Sequence, residues 1–255
     1  MSTDFAALSR TLTESLHLTL APVAVTTTDT PPAGVAAATD SVPAGCYFWQ
    51  QGATSTFVTS AKDHDACAIG TYTHNLDGTP AHEKDRGDAL KIFADLGYLP
   101  PSELMRVPVL KERRQHVVYG PLAAAASTPD VVLLFVKASQ QLILSEATAG
   151  VDGDLPPAMG RPACAIVPQA VNNQRAALSL GCCGARAYLD ALTDDVALFA
   201  LPGAKLEAYV ARIAELAKAN SILTQFHQLR RKQIAKGGHP TVMESLTALQ
   251  SGATE

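Results

Sequence analysis

The stretch GAKLEAYVARIAELAKANSILTQFHQLRRKQIAK, residues 203–236, sets the architecture. Its apolar residues Leu206, Tyr209, Ile213, Leu216, Leu223 and Phe226 return at the spacing of one helical face. The pattern predicts a long C-terminal amphipathic helix whose stripe packs on a sheet. The other use of such a stripe is a homodimer seam, although its heptads are short and broken at Asn220.

Upstream, DVVLLFVK at 130–137 holds the longest strongly apolar run. A membrane-spanning helix needs about 20 such residues, so this run reads as a buried strand and no membrane association is expected. Residues 18–28, 56–60, 116–119, 177–180 and 196–201 also read as strands, with Pro22 marking an edge or a bulge. Residues 3–16 read as a helix capped by Ser2 or Thr3, and 85–96, 139–147 and 164–171 read as further helices. The Gly-, Pro- and Asp-rich segment 148–161 reads as a linker or functional loop. The sum predicts an α+β (or α/β) fold. It is one domain over 1–236 with a mixed sheet and the long helix on it, followed by a loosely held tail over 237–255.

Hydrophobic residues make up 47 % of the 255 and charged residues 17 %, a composition that builds a core and excludes a disordered chain. The net charge of −4 gives no broad basic face, so nucleic acid is not an expected partner. The basic cluster Arg230, Arg231, Lys232 and Lys236 closes the long helix, where positive charge suits the helix dipole. The N-terminus has no basic region followed by an apolar core, so a cytoplasmic location with reduced thiols is expected. In that setting five cysteines point to a metal, to catalysis or to packing, and not to disulfides.

The sequence contains no GxxxxGK[ST], no strand-following GxGxxG and no GxSxG, so nucleotide and serine-hydrolase chemistry lack local support. His82-Glu83 opens like a zinc-protease motif, but Arg86 stands where the second histidine belongs.

Cys46 precedes Tyr47-Phe48-Trp49, Cys67 closes Asp63-His64-Asp65-Ala66, Cys164 follows Gly160-Arg161-Pro162-Ala163, and Cys182-Cys183 sit between Gly181 and Gly184. Backbone rich in Gly and Pro can approach a cluster closely and aim N–H groups at sulfur. Four convergent thiolates, Cys46, Cys67, Cys164 and Cys182, would close a [4Fe–4S] iron–sulfur cluster, and three would leave one iron open to a substrate atom. Adjacent cysteines point to different sides of a strand or helix, so only one of Cys182 and Cys183 would join, and Cys182 is favoured. No CxxC occurs, so the ligands must come from separate loops.

Two other readings stand beside this one. His64 lies three residues before Cys67, which on one helix would bring imidazole and thiolate together as a mixed Cys/His zinc site. Alternatively the cysteines are buried packing residues, and Tyr47, Trp49 and Arg186 line the pocket of a metal-free small-molecule binding module. Arg186 could offset cluster charge or clamp a small anionic ligand. The implied partner is therefore such a ligand or a redox protein. Tyr72, His74 and Tyr188 are candidate proton carriers.

Four stretches, LHLTLAPVAV (16–25), CYFW (46–49), DHDACAIG (63–70) and SLGCCGAR (179–186) with Leu201-Pro202-Gly203, carry a resemblance to the bacterial and archaeal family called domain of unknown function family 169. The family pattern resembles C…C…C…GCxGxR. The resemblance places Cys46, Cys67, Cys164 and Cys182 on that pattern and Cys183 on its variable position. It implies no settled catalytic role.

Overall fold

The computed structural model describes residues 3–39, 45–64, 66–98, 100–104, 106–159, 162–188, 190 and 192–252. Strand β4 (Val131–Val136) is its spine, and all six residues are buried. Successive strand side chains point to opposite faces, so a strand buried along its whole length needs cover on both. Val131, Leu133 and Phe135 enter one apolar cluster, while Val132, Leu134 and Val136 enter a second on the other face. The neighbouring β7 (Ala197–Pro202) divides the same way, Leu198 and Ala200 against Phe199 and Leu201.

Strands β1 (Val23–Thr28), β2 (Phe57–Ser60), β3 (His116–Pro121), β5 (Ala158–Met159) and β6 (Ala177–Ser179) complete a seven-stranded sheet in the order β2-β3-β1-β4-β7-β6-β5. Its neighbours run antiparallel except β5 and β6, which run parallel, so the sheet is mixed as predicted. The Asp130 carboxylate accepts from Thr27 N (2.7 Å) and Thr27 Oγ1 (2.8 Å), which pins the start of β4 to β1. Pro22 does not mark an edge. It stands just outside β1, an interior strand, where its carbonyl accepts from Leu122 N.

One face carries α1 (Phe5–Leu16), α6 (Ala138–Asp152) and the long α8 (Leu206–Ala235). Asp4, not Thr3, caps α1 by accepting from Ala7 N, and Ser2 lies outside the described residues. The first turns of α8 bury Leu206, Val210 and Ile213, each worth about 1.5–3 kcal/mol. This half of the predicted stripe packs on α1, α6 and β7. The stripe does not continue onto the sheet, because Leu223 is 54 % exposed and the far half of α8 packs on α9 (Val242–Gln250).

The residues expected to form a loose tail thus include a helix. Thr241 caps α9 in a reciprocal box with Glu244, and Ser245 Oγ donates to Gln233 Oε1 (2.8 Å). The expected linker is likewise ordered in part. Helix α6 runs through Thr148 to Asp152, ends on left-handed Gly153 (φ 77°), and is followed by β5. Gly160 and Arg161 of that segment lie outside the described residues. No helix among the described residues is long and apolar enough to cross a membrane.

The opposite face is built from short pieces: α2 (Phe48–Gly52), α3 (Ala68–Thr73), α7 (Ile166–Asn173) and tight turns. Helix α4 (Pro80–Asp95) follows α3, and α5 (Pro101–Leu104) follows α4. Helix α4 starts five residues earlier than predicted, because Thr79 and His82 form the capping box and Pro80 takes the first helical position.

Candidate metal centre

Each of the four cysteines favoured by sequence lies where a turn leads into a helix. Cys46 is in the 3-10 turn Gly45–Tyr47, which runs straight into α2. Cys67 caps α3, and Gly70 N donates to its Sγ (3.2 Å). Cys164 is in the 3-10 turn Ala163–Ala165 that opens α7. Cys182 follows left-handed Gly181 (φ 82°) and precedes the π-helical turn Gly184–Tyr188, and Ala185 N donates to its Sγ (3.4 Å). First-turn amides carry the positive end of the helical peptide dipoles, so they favour sulfur in its anionic form.

The turn holding Cys46, helix α3 and the turn holding Cys164 touch one another pairwise. Cys46 and Cys164 belong to the same buried cluster, and Cys67 and Cys182 pack against it. Cys183 is exposed and stands apart. Four cysteines from four distant segments thus lie in or against one apolar cluster, and Cys183 does not.

Burial pushes the Cys46 thiol well up, and the charges of Cys164, Cys67 and Cys182 push it further. Cys164 is also raised well above the ordinary value by burial and then by Cys67, with the Thr73 hydroxyl opposing. Burial raises Cys67 as well, against donation from the Gly45, Gly70 and Ile69 amides. These three thiols remain protonated unless a cation joins them, and a metal that binds releases their protons.

Histidines line the same interior. His64 is fully buried, and its Nε2 lies 3.3 Å from Thr59 Oγ1, which itself donates to the Val117 carbonyl (3.2 Å). With that hydroxyl proton committed, His64 Nε2 is the donor and Nδ1 carries the lone pair. His74 Nδ1 contacts the Gly70 carbonyl at 3.0 Å and must be protonated, so its lone pair is on Nε2. Both lone-pair nitrogens are buried without a partner. Burial, with smaller contributions from His74 and His82, lowers His64 to about 3, and burial lowers His74 to about 4. The two rings stand 5.9 Å apart.

His64 and Cys67 do not share a helix as expected. His64 ends the 3-10 turn Ala61–His64 and Cys67 starts the next helix, with Asp65 outside the described residues. Both side chains nonetheless approach Gly70, where an added Cβ would lie 3.0 Å from Cys67 Sγ and 3.5 Å from His64 Nδ1. Among the described residues no three His, Cys, Asp or Glu side chains are gathered so as to hold a metal ion.

Arg186 is committed elsewhere. Its guanidinium donates to the carbonyls of Leu180 (2.7 Å), Val196 (3.0 Å) and Thr193, closing the loop that carries Cys182. It also lines an open groove of about 490 Å³ with Lys137, Ser139, Asp194 and Asp195, in which Lys137 already pairs with Asp195 (2.7 Å). Tyr47 and Trp49 are not among this groove's walls, and Trp49 is fully buried. Tyr72 is partly exposed under the Arg86 guanidinium, and the Tyr188 side chain lies outside the described residues.

Sequence reasoning missed Tyr119. It is fully buried on β3, its ring 5.8 Å from Phe48 and 5.7 Å from Phe57. Alternation with Val117 marks it as inward-facing, but nothing in the chain connects it with distant cysteines.

A family model described as DUF169, an uncharacterised ArCR, matches residues 11–212. No curated protein and no solved structure matches the chain.

Proposed function

The chain belongs to the DUF169 family, and on that premise we propose that it is a cytoplasmic iron–sulfur protein whose [4Fe–4S] cluster is held by Cys46, Cys67, Cys164 and Cys182 and serves a redox partner. One observation carries this reading: buried Cys46 and Cys164 share one apolar cluster, Cys67 and Cys182 from two further segments pack against it, and the charges of Cys67 and Cys182 reach both buried thiols. Ordinary packing accounts for the burial of a thiol but not for the two unpartnered histidine nitrogens beside the set.

The donor set suits a cluster better than a single ion. A zinc ion needs four ligands at about 2.0–2.3 Å from one point. A four-iron cube places a different iron under each sulfur, so its ligand sulfurs stand farther apart. Glycine at 45 and 70 leaves space where a side chain would collide with His64 or Cys67. Amides at Gly70 and Ala185 already face sulfur, the kind of contact that tunes a cluster.

When bound, the cluster accepts and releases single electrons. The protein's part is to hold four thiolates, exclude water and supply N–H donors. Four cysteine ligands leave no open iron, and Arg186 is committed to carbonyls, so electron transfer is favoured over chemistry on a small anionic ligand.

The test is anaerobic purification of the full chain from iron-replete cells, followed by iron, zinc and acid-labile sulfide analysis. About four irons and four sulfides per chain is the expected result. Colourless protein lacking iron and sulfide overturns the proposal, and zinc in their place assigns the site to the mixed Cys/His alternative.

A further inference from the structure

One buried donor in this interior has no acceptor. The Trp49 indole N–H faces the Tyr119 oxygen, both groups are enclosed by protein, and the Tyr119 hydroxyl proton meets no acceptor. Buried polar groups in native proteins are nearly always satisfied, so such an orphan calls for a group that the protein atoms alone do not supply. Tyr119 belongs to the same buried cluster as Cys46 and Cys164. Trp49 lies three residues beyond Cys46, on the helical run that contains Cys46. The register of β3 holds Tyr119 between Val25 of β1 and Phe57 of β2, and Gly52 gives its backbone room. Its ring is fully buried and packed by Phe48 and Phe57, which keeps its hydroxyl from water.

We propose that the Tyr119 hydroxyl is a hydrogen-bond donor to a sulfur of the loaded centre, with the Trp49 N–H placed behind it to polarise the phenol. This inference rests on the iron–sulfur reading. Burial and then the charges of Cys46, Cys164 and Cys67 push the phenol's pKa up, so it keeps its proton and stays a donor, while Trp49 acts in the opposite sense. Sulfur bearing negative charge is a good acceptor. Donation withdraws electron density and favours the reduced cluster. Tyr119 is thus a positioning and tuning residue for the centre.

The experiment compares the full chain with Tyr119→Phe and Trp49→Phe, all purified anaerobically, by iron and sulfide content and by a redox titration followed by electron paramagnetic resonance. Tyr119→Phe should keep its iron and sulfide while its midpoint potential falls by about a tenfold change in the one-electron equilibrium, about 59 mV. Trp49→Phe should shift it less, in the same direction. Fluorotyrosine at position 119 keeps the shape and strengthens the donor, so it should raise the potential even if Tyr119→Phe folds poorly. An unmoved potential in loaded Tyr119→Phe or in the fluorotyrosine protein overturns the inference and leaves the cluster reading standing. Wild-type protein without iron overturns the cluster reading itself.

Discussion

Gly45 lies directly against the imidazole of His64: a Cβ added to Gly45 would stand 2.4 Å from His64 Nδ1 and 2.7 Å from Cε1. The ring cannot retreat freely, since it is fully buried and packs on the Phe48 ring at 5.1 Å between centroids. Gly45→Ala should therefore cost about 1–3 kcal/mol by overpacking, read by denaturant unfolding. Adding His64→Ala should recover at least about 0.5 kcal/mol of that as a coupling energy. Strict additivity of the two changes would show that the contact does not constrain the site.

Replacing cysteines one at a time separates ligands from bystanders. Cys46→Ser, Cys67→Ser, Cys164→Ser and Cys182→Ser should each lose most of the bound iron and sulfide. Cys183→Ser should retain both, because that thiol is exposed and outside the cluster. Equal iron in Cys183→Ser and Cys182→Ser would contradict the assignment.

The buried histidines predict an acid-sensitive metal-free protein. In the unfolded chain His64 and His74 titrate near 6.5, but in the fold near about 3 and about 4. Between those values the unfolded state binds more protons, so stability falls as pH drops below about 6.5 and levels off once the folded groups protonate. Well inside the window each histidine contributes a slope of about 1.4 kcal/mol per pH unit. His64→Gln should flatten the dependence, measured by denaturant melts between pH 7 and about 4. A slope unchanged by the substitution would remove His64 from the account.

On the opposite face, Asp152 joins three elements. Its carboxylate accepts from Tyr209 Oη (2.6 Å), Lys205 Nζ (2.9 Å) and Ala176 N (3.0 Å). Burial would raise its pKa, but the Tyr209, Lys205 and Ala176 donors outweigh that and hold it below 3.8. Its contribution is thus present above about pH 4 and lost as pH falls through the lowered value. Asp152→Ala should destabilise by about 3 kcal/mol at neutral pH, and by less in acid. Iron content should stay unchanged, since this network belongs to the other core.

Arg186 tests whether the Cys182 loop is held by a planar fork. Arg186→Lys keeps the charge but cannot serve three carbonyls at once, so it should destabilise by about 1–2 kcal/mol and speed cluster loss in air. Wild-type cluster lifetime in Arg186→Lys would show that this loop needs no such clasp.

Parts of this were legible in the chain. The VVLLFV run had to be a strand covered on both sides, and the stripe through Leu206, Tyr209 and Ile213 had to face a core. The Thr79–His82 and Thr241–Glu244 capping boxes, which start α4 and α9, are also local signals in the chain. The hydrogen bonds of Arg186 were not legible for a different reason. A guanidinium beside glycines looks like an anion clamp until the positions of the Val196 and Thr193 carbonyls are known.

Periodicity and composition determined the fold class and the apolar faces, because helix and strand periods act between near neighbours. They also supplied the set of cysteines that could act together. Which cysteines entered or packed on one apolar cluster, which one did not, and that Tyr119 and Trp49 belong to that cluster were decided only by tertiary structure. Those contacts join segments many residues apart, and their geometry follows from how the sheet and its covering turns pack.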